Sequence, residues 1–326
     1  MNGCTETDKP LISIVMAVYE PNLQWFKEQL ESLEAQSYPN LELLVIDDCS
    51  PTVPFEIIKQ YVSECIRSFP YQIDRNEKNL GSNLTFEKLT RLATGKYIAY
   101  CDQDDVWLPE KLSVLEEKIE QTSAKLVCSD MYVIDGQGKQ TADSITKVRR
   151  HHVFQSGEHL SEGLLFRNFV TGCTMMMPTD LAKQAIPFCP YMVHDHYLAL
   201  YASLHGAIRS IMRPLIRYRI HGGNQTGVLA GVVDKKSYYH IRIEDPINKM
   251  CWLQDNLVLP MTTRTQIAHG LEWLHARAEN FCGGHRRTRT IWKYRNLGPL
   301  TSIFEIIAFM FPEKIFMMII NIKRKL

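Results

Sequence analysis

The stretch Tyr97–Pro109, YIAYCDQDDVWLP, decides the fold. An apolar run, Tyr97 to Cys101, leads straight into three carboxylates, Asp102, Asp104 and Asp105. A short buried strand ending in acids presents them at the C-terminal edge of a sheet, where open α/β sheets take their ligands. Positions 102 and 104 are two apart, so in an extended segment they face one side. Hard oxygen donors set this way suit Mg²⁺ or Mn²⁺, which is often held by one or two carboxylates and shared with substrate phosphates. The same residues also fit a solvated acidic loop capping the next helix, with Asp105 near the N-cap and Pro109 in the first turn. The spacing alone leaves both open.

On the N-terminal side, Leu11–Tyr19 (LISIVMAVY) is a continuous apolar, β-branched run, the pattern of a strand buried on both faces of a parallel sheet. Leu23, Phe26, Leu30 and Leu33 then recur at helical spacing, and Leu41–Ile46 forms a second buried strand ending in Asp47 and Asp48. A helix over 54–69, a strand over Tyr71–Arg75 and a helix over Thr85–Thr94 follow, with Gly95 predicted as the left-handed residue closing that helix. Strands alternating with helices of this length imply a doubly wound α/β sheet. Two of its strands end in acids at one edge. After the first strand stands YEPN, not a glycine-rich dinucleotide fingerprint, and no P-loop lysine motif occurs.

At 326 residues, with 45% apolar and 22% charged residues, the chain suits one large α/β domain plus an appendage. Nine scattered cysteines without a CxxC argue against a disulfide framework or a zinc site and for a reducing compartment. The polar start MNGCTETDKP has no signal-peptide pattern, and no uninterrupted apolar run is long enough to span a bilayer. The body of the protein is therefore expected in the cytoplasm. The net charge of +1 hides an asymmetry: from Gly283 onward nine basic residues (Arg286, Arg287, Arg289, Lys293, Arg295, Lys314, Lys323, Arg324 and Lys325) face only Glu305 and Glu313. That end points at something anionic.

The ordered set ISIVMAVYEPN, LLVIDDCS, NLGSN and ATGKYIAYCDQDDVWLPEKL resembles family 2 glycosyltransferases of the GT-A fold. Further on, LVCSDMYVID, NFVTGCTMMM, HDHYLAL and YRIHGGNQTG are similar to the subgroup containing bacterial rhamnosyltransferases of cell-surface polysaccharide assembly. The resemblance covers residues 10 to 227. It implies a mostly parallel central sheet flanked by helices, with a catalytic domain over 1–227 (nucleotide-sugar half about 10–110, acceptor half about 111–227) and a helical extension over 228–326. The implied activity is inverting, metal-dependent transfer of a sugar from a nucleotide-diphosphate donor, dTDP-rhamnose or a UDP-sugar, to a glycan or lipid-linked acceptor.

What the resemblance implies for single residues follows the motifs. Val18, Tyr19, Glu20, Asp47, Asp48, Arg75, Asn79, Gly81, Asp102 and Gln103 would meet the donor. Asp102, Asp104 and His221 would hold Mn²⁺ or Mg²⁺. Trp107, Thr171, Gly172, Cys173, His194 and His196 would line the acceptor side, although Met175–Met177 read as core strand and the small residues before them could instead serve close substrate approach. Asp195 in His194-Asp195-His196 would be the general base, where position alone would make it a helix cap. His196 departs from the aromatic residue expected there. His221 precedes Gly222-Gly223, a flexible pair suited to a loop that orders over a ligand, and Arg217 and Arg219 on one strand face would pair with phosphate or with nearby acids.

Beyond Gly227 the residues read as helices over Ile243–Leu257 and Thr263–Phe281. IFEIIAFMF and IFMMIINI flank Pro312, with Phe304, Ile307, Phe311, Ile315, Met318 and Ile322 at three- to four-residue intervals. With the basic tract and Trp292 and Tyr294 they predict interfacial helices holding the protein peripherally on the inner membrane face, and a chain ending at Gly298 that keeps its fold. A helical lid on the catalytic domain is the alternative. Nucleic-acid binding is not expected, because the main domain is not basic; a homo-oligomer is compatible with the pattern. Two other functions stay in view: a catalytically silent glycan- or lipid-binding scaffold and a metal-dependent hydrolase built on DQDD and the histidines.

Overall fold

The first half of the chain alternates as its apolar periods predict: β1 (Ile12–Val18), α1 (Leu23–Glu34), β2 (Leu41–Asp47), α2 (Phe55–Cys65), β3 (Tyr71–Arg75), α3 (Ser82–Leu92) and β4 (Tyr97–Cys101). This computed structural model describes residues 9–149, 151–222, 231–283, 287–309 and 311–325, with the backbone alone at 308 and 322–325. Contacts divide the chain into one compact unit, Met1–Phe188 with Val193–His221, and a second, Cys189–Met192 with Gly222–Leu326.

In the first unit β1 pairs in parallel with β2 and β4, and β2 with β3. β1, β2 and β4 are almost wholly buried, which is why they lack the polar alternation of a one-sided sheet. β1 to β3 grow away from β1 on one side and β4 lies on the other, so a topological switch point falls between β1 and β4. Gly95 is not the left-handed residue its position predicts. α3 closes at Ala93 with φ −54°, and a Cβ on Gly95 would stand 2.6 Å from the Leu11 carbonyl oxygen and 2.8 Å from the Ser13 nitrogen. The glycine is there for close backbone approach at the entry of β4.

The chain continues with β5 (Val106–Trp107), α4 (Lys111–Thr122), β6 (Leu126–Ile134), β7 (Gln140–Ala142), α5 (Ile145–Val148), α6 (Ser161–Leu164), β8 (Met175–Pro178), α7 (Thr179–Gln184), α8 (His194–His205) and β9 (Ile208–Arg219). The sheet order is β3-β2-β1-β4-β8-β6-β9-β5, with β7 on β6. Met175–Met177 is core strand, but β8 runs antiparallel to both β4 and β6. The first four strands are parallel, as are β6 and β9, while β8, β5 and β7 pair antiparallel, so the expected mostly parallel sheet is mixed in its second half. Tight connections cannot be read as parallel or antiparallel from apolar content alone, since a fully buried strand shows the same composition either way.

The second unit is helical: α9 (Lys235–Tyr239), a π-helical segment His240–Glu244, α10 (Asp245–Asn256), α11 (Met261–Phe281), α12 (Thr288–Lys293), α13 (Pro299–Ala308) and α14 (Glu313–Lys325). Val232, Tyr238, Phe316 and Ile320 form one buried apolar cluster in it, with Phe304 and Phe309 packed against them. Arg277 and Glu305 make a two-pronged buried ion pair, both contacts 2.6 Å, and Glu305 also accepts from the Tyr238 hydroxyl at 2.7 Å. The predicted apolar stripe of the tail therefore splits. Phe304 turns inward with Phe316 and Ile320, whereas Leu300, Ile303, Ile307, Ile315 and Met318 are exposed. Among the described residues no helix is long and apolar enough to cross a membrane. Gly223, Asn224, Arg286 and the side chains of Ile322 and Lys323–Lys325 lie outside the described residues.

Candidate functional site

At the end of β2 two adjacent carboxylates point into different hydrogen-bond sets. Asp47 accepts from the Ser50 N–H at 3.1 Å and hydroxyl at 2.6 Å and pairs with Arg75 Nε at 3.1 Å. Arg75 Nη2 in turn donates to the Ser50 carbonyl at 2.8 Å. Asp48 accepts from Asn76 Nδ2 and from the N–H groups of Leu80 and Gly81, each at 2.8 Å. The Gly81 N–H also reaches Asn79 Oδ1 at 3.1 Å, and its φ of 80° lies where glycine is favoured. Asp47, Asp48, Arg75, Asn79 and Gly81 thus converge on one edge. Asn76 was missed: it is buried one residue past β3 and accepts from Lys88 at 2.9 Å, and a lone polar residue after a strand gives no signal of that.

Val18, buried, ends β1 beside this edge, and Tyr19 is exposed. The Tyr19 N–H donates to Gln103 Oε1 at 2.8 Å and Gln103 Nε2 donates to the Tyr19 carbonyl at 3.0 Å, a reciprocal clamp between the loops after β1 and β4. Glu20 adopts φ 45°, its N–H donates to Ser50 Oγ at 2.8 Å, and its carboxylate takes the N–H of Thr52 at 2.8 Å together with the Thr52 hydroxyl. That carboxylate is spent on the loop at 50–53.

The DQDD segment is a turn, not an extension of β4, so Asp102 and Asp104 do not simply share a strand face. One oxygen each of Asp102 and Asp105 and the sulfur of Cys173 lie within 4.8 Å of one another. Asp104 Oδ2 instead meets His221 Nε2 at 2.7 Å. Asp105 is fully buried and accepts the Arg219 N–H at 2.9 Å; it is no cap, because α4 starts only at Lys111. Loss of water and then the charge of Asp104 push the Asp102 carboxyl up to about 7, and Asp105 well above the carboxylate range. Crowded carboxylates that resist ionisation are what a divalent cation would relieve, and carboxylate oxygens with one imidazole form a donor set suited to Mn²⁺ or Mg²⁺.

Arg217 and Arg219 part company. Arg217 is exposed; Arg219 is buried, donating from Nε to the Asp104 carbonyl at 2.8 Å and from Nη2 to Glu28 at 2.5 Å. Arg219 serves the nearby acids and the turn's backbone. Trp107, expected on the acceptor side, lies in the core, and the Nζ of Lys111 sits 2.9 Å from the centre of its rings. Lys111 is itself fully buried, donates to the Cys173 carbonyl at 2.6 Å, and is pushed down to about 7 by burial. The sequence offers no hint of it, since a lysine in the first turn of a helix ordinarily faces water.

Asp195 stands in the first turn of α8, yet its carboxylate reaches across chain segments. Oδ2 accepts the Gly172 N–H at 3.0 Å and Oδ1 accepts from Asn168 Nδ2 at 3.1 Å. Burial pushes it up to about 6. Thr171, Gly172 and Cys173 form the turn entering β8, and Gly172 has a structural reason: a Cβ there would lie 2.7 Å from His194 Nε2. His194 packs 4.1 Å from the Phe86 ring and burial lowers it to about 3, so it stays neutral. His196 Nε2 is 2.5 Å from the Leu164 carbonyl. The two histidines flanking Asp195 are thus committed to packing and backbone. Asn168, orienting Asp195, was the partner missed.

A mixed sheet with acids at its C-terminal edge after β2 and β4 and a carboxylate at the head of α8 is the GT-A class of fold. The chain belongs to glycosyl transferase family 2, whose model matches residues 13–183. It is 34% identical over 137 residues to the putative colanic acid biosynthesis glycosyl transferase WcaA of Escherichia coli, covering 40% of this chain and 46% of that protein. The chain spans about half the length of several curated relatives it matches. Among solved structures it resembles S. aureus TarS 1–349 in complex with UDP-GlcNAc, with a TM-score of 0.58 and 16% identity over 91% of this chain and 84% of that one. It also resembles the mannosyltransferase PcManGT from Pyrobaculum calidifontis in complex with GDP-Man and Mn²⁺, with a TM-score of 0.55 and 14% identity over 93% and 86%.

Proposed function

We propose that this protein transfers a sugar from a nucleotide-diphosphate donor to a hydroxyl of a growing cell-surface glycan, with inversion at the anomeric carbon. One observation carries the reading: Asp195 accepts the N–H of Gly172 while Asp102 and Asp105 crowd the next residue, Cys173. A base and a set of acids suited to a cation therefore flank one backbone turn. The family and the similarity to WcaA, a colanic acid biosynthesis glycosyl transferase by name, support the glycan as product.

The acceptor hydroxyl would give its proton to the Asp195 carboxylate as its oxygen attacks the anomeric carbon, and the bond to the donor's diphosphate oxygen would break on the opposite face. Asp102 and Asp105, the acids at the same turn, are read as cation-side groups rather than as a covalent nucleophile, so single displacement follows. Asp102, Asp104 and His221 would hold a divalent cation, whose chemistry is to neutralise charge on the leaving diphosphate. Asp47 or Asp48 would recognise the nucleotide base, within the edge built by Arg75, Asn79 and Gly81. L-rhamnose from a dTDP donor is the specific sugar we propose.

The helical unit would rest peripherally on the anionic inner leaflet of the membrane. The exposed Leu300, Ile303, Ile307, Ile315 and Met318 and the basic residues around Trp292 support this. Screening sugar nucleotides for binding with Mn²⁺ or Mg²⁺, and then for transfer to lipid-linked glycans, tests the whole. Binding of dTDP-rhamnose with an inverted product would uphold it; no sugar-nucleotide binding in either metal would sink it.

A further inference from the structure

We propose that Lys111 is a positioning residue: it ties the 171–174 turn to the foot of α4, and that turn in turn orients Asp195. The inference rests on the reading of Asp195 as the base, but its structural part stands alone. Lys111 Nζ donates to the carbonyl of Cys173 at 2.6 Å. One residue earlier, the Gly172 N–H donates to Asp195 Oδ2 at 3.0 Å. Between them the turn is closed by Thr174, whose N–H and hydroxyl both donate to the Thr171 carbonyl, at 2.9 and 2.7 Å. A pull on the Cys173 carbonyl is therefore transmitted through a short, internally bonded turn to the N–H that holds the base.

The foot of α4 is itself well anchored. The Lys111 N–H donates to the Leu108 carbonyl at 3.0 Å, the Leu108 N–H to Leu215 at 3.0 Å, and the Trp107 N–H to Ser32 Oγ at 3.0 Å. The lysine stem runs inward from there and its ammonium lies over the Trp107 rings. Stability alone does not explain a lysine here. A methionine would fill the same space against Trp107 without the cost of taking a charge out of water. What methionine lacks is a donor for the Cys173 carbonyl.

The test reads the Gly172 amide directly in the full chain. Threonine labelled at the carbonyl carbon and glycine labelled with ¹⁵N restrict the signals to three Thr–Gly pairs: Thr94-Gly95, Thr171-Gly172 and Thr226-Gly227. In Lys111→Met the Gly172 signal should move toward its position in Asp195→Asn. Its exchange with D₂O should quicken about tenfold, the effect of about one hydrogen bond. The Gly95 amide, bonded to Ser13 Oγ, should stay put. Lys111→Arg, which keeps a donor, should restore the Gly172 signal at least in part. A merely structural lysine would lower the melting temperature of Lys111→Met and leave the Gly172 signal and its exchange unchanged, which would overturn the proposal. Unfolding of both the Met and Arg variants would overturn it too, assigning Lys111 to the fold alone. If Asp195→Asn keeps transferring sugar, the base assignment falls while the Lys111 link is still judged by Gly172.

Discussion

Asp104 and His221, separated by 117 residues in sequence, are direct partners: Oδ2 and Nε2 lie 2.7 Å apart, and the imidazole rests 4.8 Å from the rings of Trp25. Strand β9 and the turn after β4 are thereby brought to one point, and the carboxylate there is only partly covered.

Asp104→Ala should remove the metal-dependent part of nucleotide-diphosphate affinity and leave the fold intact. His221→Ala should weaken Mn²⁺ binding by at least about 10-fold, since losing a residue that holds the cation costs no less than losing an outer partner. Calorimetry with UDP and with dTDP, in Mn²⁺ and in chelator, reads both. Equal affinity of wild type and Asp104→Ala in both conditions would remove the cation from this site.

Asp195 couples activity to stability through pH. Burial raises its folded value from an ordinary 3.8 to about 6, so the neutral form is the one the fold prefers. The associated stability is fully present below the unfolded value and is lost as pH rises through about 6. Asp195→Asn cannot ionise and escapes that loss. Its stability relative to wild type should therefore grow by up to about 3 kcal/mol between pH 4 and pH 8. Transfer should move the other way: a base must be ionised, so the wild-type rate falls as pH falls through about 6, and the Asn variant should be about 10²–10⁴-fold slower well above pH 6, with the gap narrowing at lower pH. Denaturant titrations at the two pH values and a pH–rate profile decide it; parallel stability curves would contradict the burial argument.

Arg219→Met should cost about 3 kcal/mol. The guanidinium is buried and bridges the Asp104 carbonyl, the Asp135 carbonyl and Glu28, and its loss leaves the acid turn without that brace. Urea melts check the size. Arg217→Met, at an exposed position, should fall within about 0.5 kcal/mol of wild type.

Cutting the chain at Gly298 should unfold the helical unit, against the expectation from sequence. The cut removes Glu305 and leaves Arg277 as a buried unpaired charge, at a cost of about 3–5 kcal/mol. Ile307→Glu with Met318→Glu, both on exposed faces, should keep the helical content and abolish sedimentation with anionic vesicles. Full-length protein that ignores such vesicles at low salt would refute the membrane role.

The sequence made legible whatever depends on neighbours along the chain. Leu11–Tyr19, Leu41–Ile46 and Tyr97–Cys101 announce buried strands because each is apolar without alternation, and the acids that follow mark the edge. Contacts across the chain were hidden. Arg219 reads as a partner for phosphate or for nearby acids, and only the fold shows that the acid is Glu28, 191 residues away. Lys111 looks like a surface residue until β8 slots beside β4 and offers the Cys173 carbonyl. Gly172 and Gly95 read as a substrate approach and a helix end, yet each is required by a neighbour, His194 or the Leu11 carbonyl, that only packing reveals. The tail's apolar period was visible, but periodicity cannot say which half of a stripe a helix buries among its own neighbours.

The clamp between Gln103 and Tyr19 carries one more consequence. Two hydrogen bonds of opposite direction make the loop after β1 and the acid turn after β4 a single mechanical object. A ligand that shifts one shifts the other, and linkage makes such coupling reciprocal. Whatever factor a cation at the acid turn adds to the grip on a nucleotide beside Tyr19, the nucleotide must return to the cation. Gln103→Ala would remove the share of that coupling carried by the clamp and leave the direct attraction between cation and diphosphate.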